Sequence, residues 1–244
     1  MDFEEIYASH AEQYDALVDA EDRDGNLIPT IETIHPLAGA SVLEVGVGTG
    51  RIARAIVRRV GRLIAVDRAA AMLDVARRRL AAIEGAAPWE LHEADARALP
   101  VGDGWADIAI AGWVFGHFRE WMPDDWQAQV SRALGEMRRA LRSGGTLIVI
   151  ETLGTGREEP AAPTPGLDEY FTWLERAHGF ERHAIRTDYQ FPDVESAAAI
   201  TGFFFGDDFA ALVRREGWSR VPECTGLWSL RAVSDLQDPR APAE

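Results

Sequence analysis

The chain has 244 residues, of which 47% are hydrophobic and 27% charged, a composition typical of a folded globular protein. Forty acidic residues against 25 basic ones give a formal net charge of −15 at pH 7. Such a surface repels nucleic-acid phosphates and anionic membranes, so we expect neither as a partner. The single cysteine, Cys224, excludes an internal disulfide, and we find neither a signal peptide nor an apolar run approaching the roughly 20 residues of a membrane helix. We therefore expect a cytoplasmic protein.

Apolar runs and helical patterns alternate along the first part of the chain. The first 36 residues are predicted to be helical, with a break near DRDGN. Strands are then expected at ASVLEVG, RLIAVD, WELHEAD, ADIAIAGWVF and TLIVIET, separated by helices at GRIARAIVRRV, AAMLDVARRRLAAI and DDWQAQVSRALGEMRRALR. This alternation predicts an α/β fold with a parallel sheet covered by helices on both faces. Ligands of such sheets bind beyond the carboxyl ends of the strands.

A Pro/Gly-rich stretch, GTGREEPAAPTPG, interrupts this alternation. Beyond it the sequence predicts a helix at LDEYFTWLERAHGF, a strand at RHAIRTDYQF, helices in VESAAAITGFFF and DDFAALVRREG, and a final strand at GLWSLRAV. We therefore divide the chain into an N-terminal helical cap (1–36), a core (37–152) and a C-terminal part (153–244) that completes the sheet and carries inserted lid helices.

The stretch SVLEVGVGTGRIARAI, residues 41–56, is the most informative one. Three glycines alternate there between two apolar runs: Gly46, Gly48 and Gly50. The last two begin a G-x-G-x-x-A pattern of the kind that binds dinucleotides, and Asp67 follows at a suitable distance. A carboxylate near the end of the strand, Glu44, is unfavourable beside two phosphates. It favours instead a ligand with a positive amino group and no phosphate.

The segment VLEVGVGTGR resembles the first strand and glycine loop of the class I S-adenosylmethionine-dependent methyltransferases. Further motifs of that family follow in order and at its spacing: LIAVDRAAAMLDVARRR, EADARALP, ADIAIAGWVFGHF and LRSGGTLIVIE. The resemblance extends over about residues 40 to 152. It implies that 37–152 is a Rossmann-like core that binds S-adenosyl-L-methionine, and that the chain is a methyltransferase.

The resemblance also implies roles for individual residues. The glycines let the backbone approach the methionine part of the cofactor, and Asp67 at the end of the second strand binds both ribose hydroxyls. Met72 packs beneath the adenine, whose edge is read by the Asp95 carboxylate and the Ala96 backbone N–H. Tyr14 resembles the tyrosine at which the N-terminal helix of many such enzymes folds over the cofactor. Packing within the helical core is an equal alternative for Tyr14.

Three more cofactor contacts are expected at Glu44, Arg68 and Trp113. For Glu44 the alternative is a buried hydrogen-bond acceptor, and for Trp113 a core side chain. His117 and Glu151 follow the fourth and fifth strands, where the acceptor is expected. Both are candidate general bases if the acceptor must lose a proton. A structural histidine is the competing interpretation of His117, and no metal-ligand spacing is present.

For the whole chain we expect a doubly wound, seven-stranded sheet, mostly parallel with an antiparallel last strand. A lid is expected from the N-terminal helices and two helices between residues 193 and 217. The expected function is methyl transfer to a small-molecule acceptor by direct displacement at the sulfonium methyl. The acidic composition and several aromatics suit an amine or other cation. A protein side chain as acceptor, a non-catalytic S-adenosylmethionine-binding sensor or partner subunit, and a nicotinamide-dependent oxidoreductase are the alternatives.

Overall fold

The computed structural model describes residues 3–232. Within these residues the helices are α1 (Phe3–Ser9), α2 (Ala11–Ala20), α3 (Leu27–Ile34), α4 (Arg51–Ile56), α5 (Ala70–Ala81), α6 (Phe115–Trp121), α7 (Trp126–Ala140), α8 (Pro165–His178), α9 (Val194–Phe205) and α10 (Asp207–Glu216). The strands are β1 (Ser41–Val45), β2 (Arg62–Asp67), β3 (Trp89–Glu93), β4 (Ala106–Gly112), β5 (Leu141–Thr155), β6 (Glu181–Arg186), β7 (Tyr189–Gln190), β8 (Arg220–Val221) and β9 (Glu223–Arg231).

Seven of these strands form one sheet in the order β3-β2-β1-β4-β5-β9-β6, and β7 pairs with β8 separately. The pairs among β1 to β5 are parallel, whereas β9 runs antiparallel to both of its neighbours, β5 and β6. The expected doubly wound α/β architecture with an antiparallel last strand is confirmed. Strand order reverses between β1 and β4, and ligands of such sheets bind at the carboxyl ends around that point.

Both faces of the sheet are buried, because successive side chains of each strand enter two different apolar clusters. On β4, Ala109 and Ala111 belong to one cluster, and Ile108 and Ile110 belong to the other. β1 and β5 alternate in the same way. Strands covered on both faces have no reason to alternate polar and apolar residues, which is why they read as continuous apolar runs in the sequence.

The helix α7 shows how the 3.6-residue period of the sequence becomes a packed face. Its buried side chains recur three and four positions apart and all join the same core cluster: Trp126, Val130, Ala133, Leu134 and Met137. The exposed arginines and Ser131 occupy the opposite face. This spacing is that of an amphipathic helix lying on a sheet.

A helical cover, consisting of α1, α2, α9 and α10, lies over the carboxyl end of the sheet. Asp15 of α2 is buried and pairs with Arg79 of α5, while Asp19 pairs with Arg54 of α4 at 2.6 Å. Leu17 of α2 joins an apolar cluster formed mainly by α9, α10 and the β7–β8 pair. Of the helices in residues 3–232, none has the length and apolar character needed to cross a membrane. The division of the chain into cap, core and C-terminal part stays a prediction.

The structure differs from the sequence prediction at the end of the fourth strand. The apolar run ADIAIAGWVF continues beyond the strand, since β4 ends at Gly112 and a helix that the pattern did not predict, α6, begins at Phe115. The carboxylate of Glu151 on β5 accepts hydrogen bonds from the backbone N–H groups of Phe115 and Gly116, at 3.1 and 2.9 Å. A partner 35 residues away along the chain thus helps to start this helix, which the local pattern does not reveal.

The predicted strand RHAIRTDYQF is also divided in the structure. β6 ends at Arg186 and β7 begins at Tyr189, with the carboxylate of Asp188 between them. Asp188 accepts hydrogen bonds from the guanidinium groups of Arg186 and Arg220 and from the backbone N–H of Glu223. Because all three donors converge on this carboxylate, the chain turns out of the large sheet here and starts the small one.

Replacing Leu134 by alanine tests the packing of α7 on the sheet. Leu134 is fully buried, so we expect Leu134→Ala to lower the free energy of unfolding by about 2–5 kcal/mol. Urea denaturation measures this loss. The matched control, Ser131→Ala, lies on the exposed face of the same helix and should change stability by less than about 0.5 kcal/mol. Equal effects of the two substitutions would show that α7 does not pack as described.

Candidate active site

A cleft of about 820 Å³ opens at the carboxyl ends of β1, β2 and β4. It lies at the reversal of strand order, where ligands of doubly wound sheets bind. Ten of the residues predicted to form the site line it: Tyr14, Gly46, Gly48, Asp67, Arg68, Met72, Asp95, Ala96, Trp113 and His117. The structure therefore brings most of the predicted site together. The contact of each residue with a cofactor stays a prediction.

The glycine loop after β1 requires glycine for steric reasons at two places on the cleft. Gly46 has φ +72°, and a Cβ there would overlap the side chain of Val114. Gly48 has φ +53°, and its N–H donates to the Asp67 carboxylate at 2.8 Å. Gly50, with φ +91°, is the N-cap of α4 and packs against Ala76 of α5 instead of lining the cleft. Left-handed backbone of this kind is accessible to glycine at little cost.

Glu44 lies outside the cleft lining. Its side chain is buried beneath the loop, where it accepts a hydrogen bond from the backbone N–H of Ala53 in the first turn of α4. Burial and the nearby Asp67 carboxylate raise the pKa of Glu44 well above its ordinary value. First-turn N–H groups of a helix have no partner within the helix, so Glu44 supplies one. These surroundings are typical of a buried hydrogen-bond acceptor, which is the alternative to a cofactor contact for Glu44.

Asp67 joins the glycine loop to the start of α5. One carboxylate oxygen accepts the N–H of Gly48 and the other accepts the N–H of Ala69, at 2.8 and 2.9 Å. Burial raises the pKa of Asp67, and these backbone hydrogen bonds oppose that rise. The carboxylate is thereby fixed at the end of β2 on the wall of the cleft. A fixed carboxylate suits a pair of hydroxyl donors such as those of a ribose.

Asp95 has a partner that the sequence analysis missed. Both of its oxygens accept hydrogen bonds from the guanidinium of Arg97, and this contact lowers the pKa of Asp95. An adenine amino group would therefore share the carboxylate with Arg97. The Asp-Ala-Arg triplet is the sequence signal, since residues two apart in a turn, as Asp95 and Arg97 are here, can reach each other. The intervening Ala96 lines the cleft.

Trp113 has a backbone that is unusual for a bulky residue. Its φ is +54°, in the left-handed region that such side chains rarely adopt. The N–H of Trp113 donates to the carbonyl of Ile150 at 2.6 Å, and the Arg51 guanidinium lies 4.1 Å from the centroid of the indole. Strained residues held by their surroundings cluster at functional sites. Here the result is an indole that lines both the cleft and a second cavity.

The second cavity, of about 830 Å³, lies between the cleft and the helical cover. Both cavities are lined by the same four aromatic side chains: Tyr7, Tyr14, Trp113 and His117. Leu17 of α2 and Phe204 of α9 contribute to the side formed by the cover. Four charged residues of this cavity were not predicted from the sequence, because they come from distant parts of the chain: Glu21, Arg51, Glu120 and Glu223.

His117 stands at the boundary between the two cavities. Its Nε2 lies 2.9 Å from the hydroxyl of Tyr7, and its ring stacks on Trp121 with centroids 4.7 Å apart. Burial and the positive charge of Arg68 lower the pKa of His117 to about 4. The imidazole is therefore neutral at pH 7. A neutral imidazole has the lone pair that a base needs, while its low pKa makes it a weak one.

Glu151, the second candidate base, lines the second cavity and not the cleft. Besides starting α6, its Oε1 faces the Tyr170 hydroxyl at 3.4 Å. Burial raises the pKa of Glu151 to about 8, against an ordinary value of 4.5. At pH 7 the carboxyl group is protonated, and only above about pH 8 is it predominantly a carboxylate that can accept a proton.

Residues 43–149 match the model of a family described as a methyltransferase domain. This match assigns the segment, which is less than half of the chain, to that family. The chain contains a class I S-adenosylmethionine-dependent methyltransferase domain. The cofactor of this methyltransferase domain is S-adenosylmethionine, and the cleft fits it: the Asp67 carboxylate on its wall can accept hydrogen bonds from hydroxyls, and Met72 supplies an apolar surface.

Individual relatives agree with this assignment. The chain is 37% identical over 126 residues to a ubiquinone/menaquinone biosynthesis C-methyltransferase of Hahella chejuensis, covering 50% of this chain and 47% of that protein. It is 31% identical over 153 residues to a malonyl-[acyl-carrier protein] O-methyltransferase of Serratia marcescens, covering 62% and 52%. The chain thus spans about half the length of these two relatives. The crystal structure of the YcgJ protein of Bacillus subtilis has a TM-score of 0.58 at 17% identity, over 87% of this chain and all of that one, and shows the shared fold.

Substituting Gly46 tests the steric basis of the loop. We expect Gly46→Ala to destabilise the domain and to weaken binding of S-adenosylhomocysteine, the demethylated cofactor, because the added Cβ overlaps Val114 in a left-handed backbone. Gly85→Ala is a matched control, since Gly85 has φ +71° but nothing within 4 Å of the added atom. It should show only the left-handed strain of about 1–2 kcal/mol. Urea unfolding and calorimetry compare the two, and identical losses would contradict the overlap with Val114.

The raised pKa of Glu151 predicts a pH-dependent stability difference. The folded state holds the proton up to about pH 8 and the unfolded state only to about 4.5, so the unaltered chain loses stability from this group as pH rises between those values. Glu151→Gln keeps an oxygen for the N–H groups of α6 and does not ionise. Its stability should rise relative to that of the unaltered chain from pH 5 to 8, by at most about 1.4 kcal/mol per unit, and level off above pH 8. A constant difference, measured by urea unfolding, would refute the shift.

Proposed function

We propose that this chain transfers the methyl group of S-adenosylmethionine to a small-molecule acceptor bound in the second cavity. The observation that supports the proposal is the common wall of the two cavities, because an acceptor in the second one would lie directly beside the cofactor cleft. When bound, S-adenosylmethionine supplies an electrophilic sulfonium methyl group. The chain's own contribution is then mainly to orient the acceptor, which can reduce the barrier by about 7–11 kcal/mol.

The residues around the common wall have distinct tasks in this proposal. Asp67 and the loop at Gly48 bind the cofactor in the cleft, and Trp113 positions the acceptor in the second cavity. The helical cover excludes water from both. His117 and Glu151 remain candidate bases for acceptors that must lose a proton. His117 is unprotonated at neutral pH, whereas Glu151 becomes a base only above about pH 8.

Two observations support a small molecule over a macromolecule as the acceptor. The second cavity lies under the helical cover, where α2 and α9 contribute to its walls. The net charge of −15 also disfavours a nucleic acid. The acceptors named for the two relatives do not carry over, because Tyr7, Phe204 and Glu223 of this cavity lie outside the matched segment 43–149.

Calorimetric titration with S-adenosylmethionine, S-adenosylhomocysteine and NAD tests the cofactor half of the proposal. We expect the first two to bind with dissociation constants on the order of micromolar and NAD not to bind. Asp67→Ala should weaken the first two by at least about tenfold, because charge-assisted hydrogen bonds are lost. Asp74→Ala, an exposed acid on α5, is the control and should leave both affinities unchanged.

Each other outcome has a defined meaning. Binding of NAD alone would contradict the proposal and favour an oxidoreductase. Cofactor binding followed by no formation of S-adenosylhomocysteine in an acceptor screen with labelled S-adenosylmethionine would favour the non-catalytic sensor. Turnover of a protein substrate, with every small molecule inert, would move the acceptor to a protein side chain.

A further inference from the structure

The second cavity carries an excess of acidic residues. Four glutamates line it, Glu21, Glu120, Glu151 and Glu223, and the basic side chains of the described lining are Arg51 and His117, of which His117 is neutral at pH 7. Arg51 is engaged by Glu21 and Trp113: its Nη1 lies 2.6 Å from Oε2 of Glu21 and its guanidinium lies over the indole, while its buried Nη2 has no hydrogen-bond partner among the described residues. After this ion pair, three carboxyl groups of the lining face the cavity without a cation from the lining.

Glu223 is the most informative of these groups. It is 1% exposed, and its Oε1 accepts a hydrogen bond from the hydroxyl of Thr152 at 2.7 Å. Its Oε2 is buried and has no hydrogen-bond partner in the part of the chain that the structure describes. Burial and the neighbouring Glu21 raise the pKa of Glu223 to about 8. Buried polar atoms nearly always have a partner, so an unsatisfied oxygen at a cavity indicates a missing hydrogen-bond donor.

The remaining walls of the cavity are largely aromatic. Tyr14, Trp113, Tyr189, Phe204 and Phe205 line it together with the glutamates. Aromatic ring faces attract cations through their quadrupole, and a carboxylate attracts them through its charge. An anionic acceptor would meet surplus carboxyls here with the only arginine of the described lining already paired. An ammonium group beside Glu151 and Glu223 would favour their ionised forms, whereas a neutral acceptor would not.

We propose that the second cavity recognises its acceptor through a protonated amine, which donates a hydrogen bond to Oε2 of Glu223 among the aromatic rings. This inference rests on the proposed function, because it names the chemical class of that reaction's acceptor. The ammonium group serves as the anchor and not as the nucleophile, since a protonated nitrogen has no lone pair. The atom that receives the methyl group therefore belongs to another part of the acceptor.

Three probes of matched size test the inference on the unaltered chain: 2-phenylethylamine, 2-phenylethanol and 3-phenylpropionate. Each is titrated calorimetrically at pH 8, with and without saturating S-adenosylhomocysteine. We expect the amine to bind at least about tenfold more tightly than the alcohol, and the carboxylate to bind most weakly, because charge-assisted hydrogen bonds are stronger than neutral ones. Equal binding of amine and alcohol, tighter binding of the carboxylate, or no binding of the amine would overturn the inference.

Glu223→Gln then locates the anchor. The variant keeps the size of the side chain, so we expect the amine to lose about tenfold in affinity and approach the alcohol. Affinities for the alcohol and for S-adenosylhomocysteine should not change, which also shows that the variant is folded. Glu84→Gln, at an exposed position, is the control for the change in net charge. Unchanged amine binding in Glu223→Gln would overturn the assignment.

The two proposals fail in different ways. If S-adenosylhomocysteine does not bind, the proposed function fails, while the titrations without it still measure selectivity for the amine. If S-adenosylhomocysteine binds and the chain binds the amine no more tightly than the alcohol, the proposed function stands and the inference about the acceptor fails.

Discussion

The two hydrogen bonds to Asp67 are the constraint on which the cleft depends. The carboxylate at the end of β2 accepts one N–H from the loop after β1 and another from the start of α5. The loop can reach it because Gly46 and Gly48 adopt left-handed backbone, and Gly46 leaves Val114 the space that it fills. The loop after β1, the connection from β2 to α5, and Val114 are thereby held in one geometry at the carboxyl end of the sheet. The shape of the cofactor cleft follows from that geometry.

The helical cover is attached to the same helices that form the cleft. Asp15 is buried and pairs with Arg79 on α5, while Glu21 pairs with Arg51 on α4. Removing one partner of a buried pair leaves an uncompensated charge, so these contacts are costly to break. Arg51 also lies over Trp113. The positions of the cover and of the wall between the cavities are therefore coupled through one side chain.

The sequence permits prediction of those parts of the site that depend on local pattern. The glycine loop, Asp67, Met72 and Trp113 all stand just after apolar runs, and a doubly wound sheet gathers such positions at one edge. Ten of thirteen predicted site residues line the cleft, and most of these ten directly follow a strand of the sheet. Glu44 is close to the loop in sequence but points beneath it, because the N–H of Ala53 in α4 lies there. The sequence pattern does not indicate whether a residue near the loop faces the cleft or lies beneath the loop.

Contacts between distant segments account for what the sequence did not reveal. The start of α6 depends on Glu151, and the partition of RHAIRTDYQF depends on donors that include Arg220. The pairing of Glu21 with Arg51 depends on how α2 lies over α4. The partners in these contacts lie on different elements of the fold. The helical period of 3.6 residues and the strand period of two residues describe positions within one element, so they do not predict such contacts.

The residues of the two cavities come from different parts of the chain. This explains why the cofactor site is easier to predict from the sequence than the acceptor site. Most of the cleft comes from the segment 43–149, where geometry repeats across the family and similarity is detectable. The second cavity is lined by Glu21 just after α2, by Phe204 of α9 and by Glu223 of β9, all outside that segment. One scaffold can keep its cofactor site while the segments that line the second cavity change, since these segments contact the sheet only at its carboxyl end. In the proposed function, charge and hydrogen bonding within the second cavity, and not similarity of the core, would therefore select the acceptor.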